Sequence, residues 1–86
     1  MTNHAAVGTA AAQRLAGEVR GEMARQKRTA GEMARVLDIT AHTAGRRLSG
    51  AVAFSISDLM SVAMWLGMDP KELLRRAEEP AHAAAS

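Results

Sequence analysis

Apolar residues recur every three or four positions in several separated segments of this chain, which is the spacing of one face of an α-helix. Two such segments, residues 13–28 and 29–38, stand in the first half and carry charged residues on their other faces. Their inward-facing residues are predicted to be Leu15, Val19 and Met23 in the first helix and Met33, Ala34 and Leu37 in the second. Both segments therefore read as amphipathic helices.

The second half repeats this pattern, with a fourth helical segment over residues 55–67 and a fifth over residues 69–79. Between the halves, residues 41–49 have helix-forming neighbours but a poor apolar face. The core positions predicted for the last two helices are Ile56, Leu59, Met60, Ala63, Leu66, Leu73 and Leu74. The chain is therefore predicted to be all-α, with five helices and no strand.

Local start and stop signals bound these helices. Side-chain caps at Thr29, Thr40, Ser55 and Asp69 precede the second to fifth helices, and acids three residues on complete capping boxes at Glu32, Asp58 and Glu72. Gly50 and Gly67 are predicted C-terminal caps. The ordered domain is predicted over residues 13–79, between a flexible leader at 1–12 and a flexible tail at 80–86. About three residues separate the second and third helices, which indicates a helix-turn-helix.

Composition excludes several classes of function. The 86 residues suffice for one small domain, and the chain has no cysteine, which removes disulfides, thiolate catalysis and zinc fingers. No segment approaches the roughly 18 apolar residues of a membrane span, and the N-terminus does not resemble a signal peptide. The three histidines are scattered, and no carboxylate pair, nucleophile–base set or glycine-rich phosphate loop is present. We therefore expect that the chain is not an enzyme and has no metal, cofactor or small-molecule site. We also expect a cytoplasmic location.

Charge is unevenly distributed along the chain. Residues 14–50 contain eight Lys or Arg against four acids, whereas residues 51–86 contain three against five. Such asymmetry is expected of a surface that binds a polyanion, and an ordinary solvated helix face remains the alternative. The third predicted helix contributes Arg46 and Arg47, and the end of the first contributes Arg25, Lys27 and Arg28.

The sequence EMARVLDITAHTAGRRLSG, residues 32–50, resembles the helix-turn-helix of the phage Cro and repressor family, also called Xre-like or lambda-repressor-like. The following SISDLMSVAMWLGMDPKELL, residues 55–74, is similar to that family's next two helices. Alanine and arginine richness and the RRLSG ending are similar to repressors from phages of actinobacteria. The resemblance implies a recognition helix at residues 41–49 that enters the major groove of double-stranded operator DNA. Asp38 replaces the family's usual turn glycine, so we expect a left-handed backbone there. Ala44 replaces a usual Ile or Val.

The resemblance also implies which residues contact DNA. In the turn and recognition helix they are Thr40, Ala41, His42, Thr43, Gly45, Arg46, Arg47 and Ser49. Thr29 and the cluster of Arg25, Lys27 and Arg28 at the end of the first helix are further predicted DNA contacts, and for the cluster a favourable pairing of cations with the helix C-terminus is the alternative. An arginine fork can bind guanine bidentately, and helix N-terminal amides attract phosphate. The resemblance thus implies a transcriptional regulator, either a Cro-like protein or a small immunity repressor. An antitoxin or protein-interaction module and an excisionase-like DNA-bending protein remain alternatives.

Met64 and Trp65 fall outside the stripe predicted to face the core, and Met68 follows the fourth helix. Large apolar side chains at exposed positions are typical of a surface that binds another protein. We therefore predict a homodimer, at least on DNA, through Met64, Trp65 and Met68.

Overall fold

The computed structural model describes residues 2–78, with side chains from residue 10 onward. It contains α1 (Thr2–Gln26), α2 (Ala30–Leu37), α3 (Ala41–Ser49), α4 (Ile56–Leu66) and α5 (Pro70–Glu78), and no strand within that range. The all-α prediction is confirmed. The last four helices begin where the sequence predicts, but α1 begins at Thr2, well before the predicted start at residue 13. The flexibility of the leader stays a prediction, and the predicted tail at 80–86 lies outside the described residues.

Side-chain caps account for the helix starts. The hydroxyl of Thr29 accepts from the backbone N–H of Glu32 at 3.1 Å, and the Glu32 carboxylate accepts from the N–H of Thr29 at 2.7 Å, so this box is closed. Ser55 accepts from the N–H of Asp58 at 3.0 Å. The boxes predicted through Asp58 and Glu72 are wrong, because both carboxylates bind arginine side chains instead. Hydrogen bonds from Arg75 and Arg76 lower the pKa of Glu72 to about 2.

The core lies where all five helices meet. α1 packs mainly on α5 and α3, while α2 packs on α3 and α4. The buried residues that form this core are Leu15, Val19, Met23, Met33, Ala34, Ala44, Leu48, Leu59, Val62, Ala63, Leu66, Leu73 and Ala77. The predicted inward faces of α1 and α2 are therefore confirmed, except that Leu37 is half-buried. Within the described residues, no helix is long and apolar enough to cross a membrane.

The outward face of α4 differs from the prediction. Ile56 and Met60, predicted to be core, are 76% and 48% exposed, whereas Val62, which was not predicted, is fully buried. α4 is apolar around most of its circumference, so two apolar stripes could each face the core. Contact with α2 and α5 turns the stripe that carries Leu59 and Leu66 inward. Leu74 is likewise 39% exposed, because α5 turns its neighbour Leu73 inward.

Candidate nucleic-acid interface

The turn between α2 and α3 fixes the angle of the third helix. Asp38 has φ 57° and ψ 48°, which confirms the predicted left-handed backbone. Its N–H donates to the carbonyl of Arg35 at 3.2 Å, and the N–H of Ile39 donates to the carbonyl of Ala34 at 3.0 Å. This double closure satisfies the last carbonyls of α2 and stops the helix abruptly. α3 consequently starts only a few residues later, as the helix-turn-helix reading requires.

α3 has an apolar inner face and a polar outer face. Ala44 and Leu48 are buried against the core, and the small side chain at Ala44 lets α3 lie close to its support. His42, Gly45, Arg46 and Ser49 are exposed and have the spacing i, i+3, i+4 and i+7, which places them on one side of the helix. Four of the predicted DNA-contact residues therefore share one solvent-facing surface.

The two ends of α3 are fixed by hydrogen bonds. At the start, the Thr40 hydroxyl accepts from the N–H of Thr43 at 3.1 Å and donates to the Thr43 hydroxyl at 2.9 Å. At the end, the Arg20 guanidinium donates to the carbonyl of Leu48. The Ser49 hydroxyl donates to the carbonyl of Arg46 at 3.0 Å. Thr40 thus shapes the helix end, and Ala41 beside it is exposed at the N-terminus, where backbone amides favour an anion.

Arg46 is the exposed cation of this surface. Among the residues whose side chains the structure describes, none engages its guanidinium in a hydrogen bond, ion pair or ring contact. Lys27 is also exposed and has no side-chain partner in the described range, at a left-handed position with φ 58° that ends α1. Both predicted cations are therefore available to a phosphate or a base edge.

The other predicted cations have partners within the chain. Arg25 binds Glu22 at 2.7 Å, and hydrogen bonds from Gln26 and Arg25 lower the pKa of that carboxyl. The Arg25 side chain is 61% exposed, so its ion pair contributes little, about 0–1 kcal/mol, and Arg25 can exchange Glu22 for a phosphate. The Arg28 guanidinium lies 5.2 Å from the centre of the Trp65 ring, a cation–π contact. Thr29 is exposed, but both its hydroxyl and its N–H belong to the capping box.

Arg47 does not belong to the outer surface, which corrects the prediction of a DNA contact. Its guanidinium forms a 2.6 Å ion pair with Asp58, and the two side chains are 18% and 21% exposed. Its Nε is buried with no hydrogen-bond partner in the described part of the chain. The next residue, Leu48, faces the core, so the helical turn carries Arg47 toward α4. Arg47 therefore joins α3 to α4.

The predicted dimer surface is also revised. Met64 is 79% exposed, as predicted, but Trp65 and Met68 are half-buried and pack against the core. Trp65 is further covered by Arg28. The expectation of an exposed tryptophan is therefore wrong, because the phase of α4 turns this ring toward Arg28 and the core.

Sequence reasoning missed Arg35 as a candidate phosphate contact. Its side chain is exposed on α2 and has no ion pair within residues 2–78. Glu32, the acid one turn before it, is held by the capping box. The signal was present in the sequence, since the capping box predicted at Thr29 occupies Glu32, an acid one helical turn from Arg35.

Gly45→Ala is expected to stabilise the domain. A Cβ at this position would meet no atom within 4 Å, and glycine inside a helix costs about 1 kcal/mol relative to alanine. Urea unfolding should therefore show a free energy of unfolding higher by about 0.5–1 kcal/mol. A variant less stable than the parent would contradict the open helical position assigned to Gly45.

Comparison with known proteins agrees with this geometry. The family model described as the BetR domain matches residues 7–85, nearly the whole chain. No curated protein and no solved structure shows significant similarity to the chain. The BetR match and the helix-turn-helix geometry together indicate a small regulatory domain that binds DNA. The chain belongs to the BetR domain family, a family of small helical domains of the helix-turn-helix type.

Proposed function

We propose that this chain is a sequence-specific transcriptional regulator of the Cro or small immunity repressor type. α3 enters the major groove of a double-stranded operator, and occupancy of that operator blocks transcription. The protein acts in the bacterial host cytoplasm by binding alone, without catalytic turnover or a cofactor, and as a homodimer at least on DNA.

The observation that carries this proposal is the outer surface of α3. Arg46 is exposed and unengaged by the described residues, and it shares one helix face with His42 and Ser49. A guanidinium held at the surface of a fixed helix can donate two parallel hydrogen bonds to guanine O6 and N7. A buried inner face at Ala44 and Leu48 makes that presentation rigid.

Phosphate contacts would set the register of the domain on DNA. The amides at the start of α3, together with Lys27, Arg35 and Arg25, supply positive charge beside the reading surface. These contacts carry no sequence information, whereas His42 and Arg46 face outward where base edges are read. Affinity should consequently fall steeply as salt concentration rises.

Arg46→Ala tests the proposal. The preferred site is first selected from a random pool of double-stranded DNA with the parent chain. The variant is expected to bind this site about 10- to 100-fold more weakly and to lose preference at one base pair, because a bidentate arginine contributes about 1–3 kcal/mol of discrimination.

Lys71→Ala is the matched control, since it removes the same charge from an exposed side chain on α5. It should change affinity only slightly and leave the preferred base pairs intact. Unchanged affinity and preference in Arg46→Ala, with native circular dichroism, would refute the assignment of Arg46 as a reading residue.

A second function, an antitoxin or other protein-interaction module, is favoured by the exposed Met64, Met60 and Ile56. It predicts weak binding to random DNA at both low and high salt, whereas the regulator binds random DNA at low salt and releases it at high salt. An excisionase-like protein would instead bend the selected site, which circular-permutation gel shifts measure.

A further inference from the structure

We propose that two copies of this chain pair through the α4 stripe, formed by Ile56, Met60 and Met64, with the two α4 helices antiparallel and Met60 at the two-fold axis. The inference rests on the proposed function and deepens it by assigning the surface that joins the two copies.

The α4 stripe is a continuous exposed apolar line. Its residues have the spacing i, i+4 and i+8 and are 76%, 48% and 79% exposed. On one flank it borders a shallow hollow between α2 and α4, lined by Val36, Ser61, Met64 and Trp65. Val36 is itself 42% exposed, so the apolar surface extends from α4 onto the end of α2.

The surface also lacks charge. No charged residue occurs between Leu59 and Met68, and Asp58, which precedes this run, is held by Arg47. A cationic or acidic partner would find no complementary group on the α4 stripe. A second copy presents the same uncharged surface. Two copies of a chain of net charge +2 repel each other, and an uncharged contact adds no further repulsion where they meet.

Antiparallel pairing matches the stripe to itself. When the two Met60 side chains meet at the two-fold axis, Ile56 of each copy faces Met64 of the other, so the stripe residues pair apolar group with apolar group. A two-fold symmetric dimer uses the same surface on both copies, so that surface must be complementary to itself, as the α4 stripe is in this arrangement.

The size of the surface indicates a weak dimer. An eleven-residue helix is about 16 Å long, so the stripe is smaller than the roughly 800 Å² per partner of a stable complex. Two copies held on one DNA segment have a high effective concentration, and the same surface then suffices to pair them.

This surface is linked to the recognition helix. The ion pair between Arg47 on α3 and Asp58 on α4 is 2.6 Å long and largely shielded from solvent. Because it ties α3 to the helix that carries the α4 stripe, pairing of the stripes sets the relative orientation of the two recognition helices. A two-fold symmetric binding site follows from such pairing.

Single-cysteine variants test the proposal, because the chain has no cysteine of its own. Met60→Cys should oxidise to a disulfide-linked dimer at least about tenfold faster than Ala10→Cys, an exposed control on α1, since paired thiols have a high effective concentration. Ile56→Cys and Met64→Cys should link poorly to themselves, because antiparallel pairing separates like positions by about 12 Å along the axis, beyond disulfide reach. An equal mixture of the two should give mainly the mixed dimer.

The full chain is used, first free in solution and then on the selected DNA site, with products read by non-reducing electrophoresis and mass spectrometry. Equal self-linking of all three positions would overturn the antiparallel arrangement. Linking no faster than Ala10→Cys in both conditions would overturn the pairing surface. Either result is distinguishable from failure of the proposed function, which would appear as no DNA binding by the parent chain while linking at Met60→Cys persists.

Discussion

Gly50→Ala is expected to destabilise the domain by about 3 kcal/mol, the sum of backbone strain and overpacking. Gly50 ends α3 with φ 85°, a left-handed conformation that disfavours any Cβ. A Cβ built there would lie 2.8 Å from both Cα and Cγ of Gln13. Because one of these atoms belongs to the backbone of α1, a rotamer change cannot relieve the clash, and α1 and α3 must separate.

Gly67→Ala is the matched control for this prediction. Gly67 ends α4 with φ 71°, so it carries the same kind of strain, but a Cβ there would meet nothing within 4 Å. It should cost only about 1–2 kcal/mol. Urea unfolding followed by circular dichroism measures both variants, and equal losses would show that the close approach to Gln13 does not limit the packing of α1 on α3.

The sequence predicts the starts of α2 to α5 and the ends of α2 to α4 well because those signals are local. A Thr or Ser hydroxyl that caps the next turn, or a glycine that accepts a left-handed backbone, acts within four residues of itself. The left-handed conformation of Asp38 was expected for a different reason, because Asp38 stands where the resembled family has a turn glycine. The outer surface of α3 was predicted from the family resemblance, and the structure explains it, because Ala44 and Leu48 fill the inner face and leave His42 and Arg46 outside.

Properties set by contacts between helices were not predictable. α4 offers two apolar stripes, and nothing within the helix decides between Met60 and Val62 as the core residue. Likewise, Arg46 and Arg47 are identical in type and adjacent in sequence, yet one is exposed and the other binds Asp58. Which of the two arginines reaches Asp58 depends on where α4 lies relative to α3. The sequence of the six-residue connector between these helices does not predict that position.

The pairing of cations was equally hidden. The guanidinium of Arg28 lies over Trp65, 37 positions away, and that of Arg20 binds the carbonyl of Leu48. Charge counting treats all these residues as equivalent contributors to a basic surface. The structure separates them into cations that hold helices together and cations that remain available to a ligand, and among the described residues the latter group includes Arg46, Lys27 and Arg35.

Leu73→Ala is expected to cost about 3 kcal/mol, within the range of about 2–5 kcal/mol for buried leucine truncations. Leu73 is fully buried where α5 meets the core, so removal of its isobutyl group leaves a cavity as well as lost apolar burial. Leu74→Ala, one residue on and 39% exposed, deletes the same atoms and should cost about 1 kcal/mol. Urea unfolding of the two variants measures the effect of burial, because both delete the same atoms. Similar losses in the free energy of unfolding would contradict the placement of α5. Since the backbones of α5 and α3 do not approach each other closely within the described chain, the folded fraction of Leu73→Ala should still select the same DNA site as the parent.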